Sequence, residues 1–247
     1  MINNKALRIF YANYRALKHK FLFCRTKNFS IPKSISIRGV RRPTSASNDA
    51  TKIFMEIFLY DEYFLRKITN EAIQTIVDIG ANVGIFSITA RSFFQSAKIY
   101  SYEPSSNAFS FLKKNGEEFG FKSFCAAVGS QTCFGKLIEE GSSGCLSKFI
   151  ATETGNDEMI SFENIFDHNS ISNLDLIKID CEGCEYELLA KSNMWSKVKF
   201  LTMEFHENDL DSISKILSKI NFEILYSFTY PFYTGIVLAK NLAFSKK

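Results

Sequence analysis

From residue 51 onward the chain alternates between short apolar runs and longer amphipathic ones, and this alternation restricts the fold more than any other feature. Strand-like runs fall at 75–79, 98–102, 123–128, 175–179, 199–205, 222–228 and 234–239. Helix-like stretches lie between many of them, at 84–94, 105–119, 185–194 and 209–220, and a further helix is expected at 51–68. Parallel strands need crossover connections, so this order predicts a Rossmann-like, doubly wound α/β domain whose mostly parallel sheet is covered on both faces. The last two strands stand too close for a helix, which predicts a hairpin that brings an antiparallel C-terminal edge strand into the sheet.

In open sheets of this kind ligands bind outside the carboxyl ends of the strands. Four strands end in polar residues: TIVDIGANVG at Asp78, KIYSYEPS at Glu103, LDLIKIDCEG at Asp180, and KFLTMEFHEN at Glu204 and His206. Any one of these reads most simply as a solvated loop residue, but four on one sheet edge predict a site. Gly80 permits a tight turn, and Gly84 lets the next helix start close against whatever is bound. A dinucleotide fingerprint would read GxGxxG, whereas Asn82 and Ile85 occupy the second and third glycine positions. Charge makes the same distinction. Two like charges about 4 Å apart repel by roughly 4 kcal/mol at an effective dielectric near 20, so Asp78 disfavours a pyrophosphate. A cationic ligand without phosphate, such as S-adenosylmethionine, suits the loop, and Glu103 is placed to accept both hydroxyls of its ribose.

The charge distribution divides the chain. Residues 1–48 carry eleven Lys and Arg and no acid, which leaves nineteen basic against twenty-six acidic residues in 49–247. A basic arm of net +11 therefore precedes a body of net −7, and 1–48 and 49–247 are taken as arm and catalytic domain. Leu7, Phe10, Tyr14, Leu17 and Phe21 recur at spacings of three and four, a helical stripe with Lys5, Arg8 and Arg15 on other faces. The plain reading packs this stripe on the body with the charges in water; the alternatives are an anionic membrane surface or a nucleic acid. Ser34 to Arg42 adds a short strand. No apolar run reaches the eighteen or so residues of a membrane span, and the expected compartment is the cytoplasm.

Cys181 and Cys184 form one CxxC pair among six cysteines, too few partners for a four-ligand zinc site, and read as small buried hydrophobes. A redox dithiol also stays open, because CxxC opens a helix after a strand here; acidic neighbours would raise its thiol pKa. The glycine- and serine-rich stretch EEGSSGCLSKF, 139–149, reads as a substrate lid or an ordinary surface loop.

The motifs VDIGANVGIFS, YEPSSNAFSFLKKN and LDLIKIDCEGCEYELL followed by LTMEFHE resemble the FkbM family of class I S-adenosylmethionine-dependent methyltransferases over roughly residues 45–240. The resemblance implies that Asp78, Gly80, Ala81, Asn82 and Gly84 form the cofactor loop and that Glu103 holds the ribose. It also implies cofactor-side positions for Asn107, Asn115 and Ala127. The implied activity is O-methylation of a sugar, glycan or secondary metabolite.

Methyl transfer to a hydroxyl requires alignment of oxygen, methyl carbon and sulfur and removal of a proton. His206 ends a strand beside the expected pocket and is the candidate general base, with a hydrogen-bonded structural histidine as the plain alternative. Asp180 is read as orienting the acceptor hydroxyl, acting as the base, or holding a divalent metal with Glu182 and Glu204. Two rival functions stay open: an RNA methyltransferase using the basic arm, against which the acidic body argues, and a catalytically inactive cofactor-binding module.

Overall fold

The computed structural model describes residues 5–23, 29–47, 50–140, 146–152, 154–181, 183–206, 209–230 and 234–244. The chain opens with α1 (Lys5–Lys18) and a hairpin of β1 (Ser34–Ile37) and β2 (Val40–Pro43). The helix expected at 51–68 is broken. It runs as α2 (Thr51–Ile53), continues as a π-helical turn over Phe54–Leu59, and resumes as a 3-10 turn at Leu65–Ile68. Left-handed backbone at Asp61 and Phe64 separates the pieces.

The central domain then proceeds through β3 (Thr75–Ile79), α3 (Ile85–Phe93), β4 (Lys98–Tyr102), α4 (Ser106–Phe119) and β5 (Lys122–Phe124). A smaller sheet follows, made of β6 (Ala127–Gly129), β7 (Cys133–Glu140), β8 (Leu146–Ala151) and β9 (Asp157–Ser161). The chain returns to the main sheet through α5 (Phe162–His168), β10 (Leu174–Ile179), α6 (Glu185–Lys191), β11 (Val198–Phe205), α7 (Leu210–Lys219), β12 (Phe222–Tyr230) and β13 (Thr234–Asn241).

The seven strands of the main sheet are ordered β12-β13-β11-β10-β3-β4-β5. Strands β11, β10, β3, β4 and β5 pair in parallel, and β13 runs antiparallel to both of its neighbours. The antiparallel C-terminal strand sits one place in from the edge, and burial explains its position: β13 is buried almost throughout, whereas β12 alternates with exposed residues and forms the rim. Because strand side chains alternate between faces, neighbouring residues enter different cores. Ile76, Ile99, Leu176 and Phe200 pack with α1, the π-helical turn and α3. Val77, Ile79, Ile177 and Leu201 pack with residues of α5, α6 and α7.

Two expectations are corrected here. The helical stripe of the arm is turned the other way: Ala12, Ala16, Arg15 and His19 are buried, while Leu7, Phe10, Tyr14 and Leu17 are exposed. The body holds the polar face by specific contacts. Arg15 lies between the rings of Phe58 and Phe93, at 4.8 and 4.5 Å, and donates to Ser92 Oγ. Arg8 pairs with Glu62 at 2.6 Å. The imidazole Nδ1 of His19 lies 2.7 Å from the Ser36 carbonyl, and burial lowers its pKa to about 4. The stretch 139–149 is likewise no simple loop. Its flanks pair as the antiparallel β7–β8 hairpin, from Gly135 opposite Ala151 to Glu140 opposite Leu146. Its tip, 141–145, lies outside the described residues.

Candidate functional site

Register decides what faces what at the carboxyl edge. Asp78 on β3 stands directly opposite Lys178 on β10, and both point to the arm side of the sheet. Lys178 is fully enclosed; its ammonium lies 3.4 Å from Asp78 Oδ1 and 3.4 Å from Asp180 Oδ2. It also donates to the carbonyls of Ile79 and Gly80, at 3.2 and 2.5 Å. Ser87, on the first turn of α3, donates to Asp78 Oδ2 at 2.7 Å. Burial pulls the Lys178 pKa down, but the carboxylates of Asp180 and Asp78 outweigh it and hold the ammonium charged. Burial pushes Asp78 up against the opposing pull of Lys178 and Ser87.

The Asp78 charge is thus spent inside the protein, on Lys178 and Ser87, and supports the loop from below. The electrostatic preference read from the sequence rests on a carboxylate that has no exposed surface. Glu103 is better placed to act on a ligand. Its two oxygens accept the backbone N–H groups of Asn82 and Ser105, at 2.8 and 2.9 Å, and each oxygen has a further lone pair for a hydroxyl. Burial raises the Glu103 pKa, with the two N–H bonds opposing it.

The loop that carries these groups is fixed by backbone geometry. Gly80, Asn82 and Gly84 all have positive φ, at 69°, 49° and 87°. Asn82 tolerates this conformation because its own side-chain oxygen accepts from Val83 N at 2.8 Å. At Gly80 a Cβ would lie 1.7 Å from the Asp180 carbonyl oxygen, so the loop at 80–84 and the end of β10 are in backbone contact. At Gly84 the space is already taken by Leu112 and Phe121; its lack of a side chain admits α4 and the following turn, not a ligand. Ala81 is buried and donates its N–H to the Tyr102 carbonyl.

Other expected cofactor positions divide. Asn107 is exposed in the first turn of α4, directly after Glu103 and the capping Ser105. Ala127 is buried at the start of β6, paired with Met159. Asn115 is buried: its amide donates to the Val83 and Ser45 carbonyls and accepts from Ser45 N, so it fastens residue 45 to the loop at 80–84 and its donors are used up.

On the acceptor side, β10 and β11 run in parallel with Ile179 opposite Met203, so Asp180 and Glu204 come level on one face. Tyr63 donates its hydroxyl to Asp180 Oδ2 at 2.8 Å, and burial followed by the Asp180 charge keeps that phenol protonated. His206 Nε2 lies 3.7 Å from Glu204 Oε1, both side chains partly exposed. Tyr186 donates to the His206 carbonyl. Glu182 lies outside the described residues. Among the described residues no three of His, Cys, Asp and Glu come together in a metal-holding group.

Of the two readings of the CxxC pair, only the one as small buried hydrophobes is corrected. Cys181 and Cys184 are joined as a disulfide, half-buried against the core, closing the loop after Asp180. Glu185 secures the same loop by accepting the N–H groups of Cys181 and Gly183, at 3.0 and 2.8 Å. Among the residues that sequence reasoning passed over, Lys178 had a readable signal, a lone cation within the apolar run LDLIKI of a strand buried on both faces. Tyr63 had none, since 117 residues separate it from Asp180.

The geometry suits an adenosyl donor. The loop at 80–84 ends β3 beside Glu103, which keeps acceptor capacity for vicinal hydroxyls, and Asp180 and His206 follow β10 and β11, one and two strands away along the same edge. A family model described as the Methyltransferase FkbM domain matches residues 78–224. No curated protein matches the sequence significantly. Similar solved structures include a human methyltransferase 10 domain containing protein, at 10% identity with 96% of this chain and 95% of that chain covered and a TM-score of 0.46. Another is M. capricolum TrmK in complex with S-adenosyl-homocysteine, at 14% identity, 72% of this chain and 68% of that chain covered and a TM-score of 0.45. A putative RNA methyltransferase from Pyrococcus horikoshii matches at 14% identity, 80% and 87% coverage and a TM-score of 0.44.

Proposed function

This chain belongs to the FkbM family of S-adenosylmethionine-dependent methyltransferases, and from that premise we propose that it methylates a hydroxyl of a sugar, glycan or related secondary metabolite. The observation that carries this reading is the register of β10 and β11, which ends these paired strands in Asp180 and Glu204, with His206 3.7 Å from Glu204 and the Asp180 carbonyl against the loop at 80–84. When bound, S-adenosylmethionine supplies an activated methyl group on a sulfonium centre.

The roles of the chain's own groups follow from their placement. Glu103 binds the ribose hydroxyls, and Asn82 and Ala81 shape the wall beside it. Lys178 holds the loop by its carbonyls, with Asp78 as the counter-charge. Asp180, oriented by Tyr63, accepts a hydrogen bond from a hydroxyl neighbouring the one to be methylated and so orients the acceptor, and His206 takes the proton of the reacting hydroxyl itself. Glu204 stabilises the imidazolium that results. A positioned base of this kind is worth about a hundred- to ten-thousandfold in rate.

The test is transfer of a labelled methyl group into fractionated cell extract. Label in glycan or small hydroxylated metabolites supports the proposal, and label confined to RNA overturns the acceptor class. Turnover unaffected by His206→Ala and Asp180→Ala would remove both residues from the chemistry, and loss of turnover in EDTA would add a divalent ion to it.

A further inference from the structure

Helix α1 is held with its apolar face outward, the reverse of a helix that rests on a soluble core. Its inner face sets the small residues Ala12 and Ala16 in the core beside two arginines. Arg15 is 3% exposed between two phenyl rings, and Arg8 is paired with Glu62 and stacked on Tyr60. Its outer face carries Leu7, Phe10, Tyr14 and Leu17, and Leu22 continues the patch; Phe10, Leu17 and Leu22 are 72%, 65% and 85% exposed. The exposed bases of the same arm are Lys18 and Lys20 at the C-terminal end of α1 and Lys33, Arg38 and Arg41 at the β1–β2 hairpin, and residues 1–48 contain no acid. An exposed apolar helix face in an arm of one sign of charge marks an interaction surface.

The charge identifies the occupant. A second copy of the chain would set one +11 arm against another. A nucleic acid would use arginines and stacking rings on the patch itself, but the arginines of the helix, Arg8 and Arg15, are turned inward, the exposed Arg38 and Arg41 lie on the hairpin, and three of the five outward residues are leucines. Leucine and phenylalanine in an arm of lysine and arginine suit a lipid bilayer with anionic headgroups. We propose that the outer face of α1, with Leu22, docks on an anionic phospholipid membrane surface. The docked helix is tied to the acceptor side of the site: Glu62, which grips Arg8, also accepts from Tyr230, and the next residue, Tyr63, reaches Asp180. The inference stands apart from the identity of the acceptor and survives if that identity is wrong.

The test is co-sedimentation of the full chain with vesicles of phosphatidylcholine alone or with about a third phosphatidylglycerol. Binding is expected only with the anionic lipid and should weaken with salt. The double variant Phe10→Ser, Leu17→Ser should lose at least about tenfold in vesicle affinity, and Lys18→Glu, Lys20→Glu a similar factor. The outward residues support no core, so both variants should keep the wild-type melting temperature and S-adenosylhomocysteine binding. The proposal is overturned if the wild type ignores anionic vesicles, or if both variants bind them as well as it does. It is equally overturned if the Phe10 and Leu17 substitutions abolish self-association or single-stranded RNA binding while leaving vesicle binding intact.

Discussion

Replacing Lys178 by methionine keeps the length and apolar stem of the side chain while removing the charge that faces Asp78 and Asp180. The ammonium is enclosed, with carboxylates at 3.4 Å on two sides and the Ile79 and Gly80 carbonyls as acceptors. Removing one partner of a buried ion pair costs about 3–5 kcal/mol, because the remaining charge is left uncompensated. The freed carbonyls belong to the turn that begins the cofactor loop, so the loss should be felt in ligand binding as well as in stability. Burial already raises the Asp78 pKa. Without Lys178 it rises further, and the folded state then binds the proton more tightly than the unfolded chain. The deficit of Lys178→Met should therefore be small at acid pH, below the unfolded carboxylate value, and grow as pH rises through the folded one. Urea denaturation at several pH values, paired with titration of S-adenosylhomocysteine, measures both effects. Adding Asp78→Asn removes the stranded charge, so the double variant should be more stable at neutral pH than Lys178→Met alone. A cost below about 1 kcal/mol for the single variant, or strictly additive costs in the double, would refute the clamp.

Gly80→Ala should destabilise by about 1–2 kcal/mol from its left-handed backbone alone, and overlap with the Asp180 carbonyl should add to this and carry the damage into cofactor affinity; calorimetry and thermal melting check both. His206→Ala should lower kcat at least about a hundredfold with cofactor binding unchanged; equal turnover would leave His206 a structural role. Glu56 is pushed up to about 7, first by burial and then by the charge of Glu62. Its folded-state pKa lies above the unfolded one, so its contribution is present at pH 4 and lost as pH rises through 7. Glu56→Gln should accordingly add about 2 kcal/mol of stability at pH 8 and almost nothing at pH 4, a difference that melting curves at the two pH values resolve.

The strands of the main sheet were legible because period and length agreed. The runs at 75–79 and 98–102 coincide with β3 and β4, and the carboxylates expected at strand ends stand there because parallel strands share one carboxyl edge. The run 123–128 concealed a change of sheet: β5 ends at Phe124, and β6 pairs with β9 far along the chain, a long-range pairing that local pattern does not encode. The π-helical turn at Phe54–Leu59 was hidden for a similar reason, since its aromatic residues serve a core built partly from the arm. The stripe on α1 was read in the correct periodicity, but the sequence left open which side it faces, and the reading that packs it on the body is the one the structure overturns. Apolar spacing identifies a helix face, but Arg15 between two phenyl rings and Arg8 on Glu62 decide which face the body takes, and those partners lie dozens of residues away.

The central claim is that the loop at 80–84 and Glu103 hold an adenosyl donor that carries no phosphate, and isothermal calorimetry tests it most directly. The account predicts one site for S-adenosylhomocysteine, with a Kd on the order of micromolar, weakened at least about tenfold by Glu103→Ala, and no heat with NAD. Tight NAD binding beside undetectable S-adenosylhomocysteine binding would contradict it.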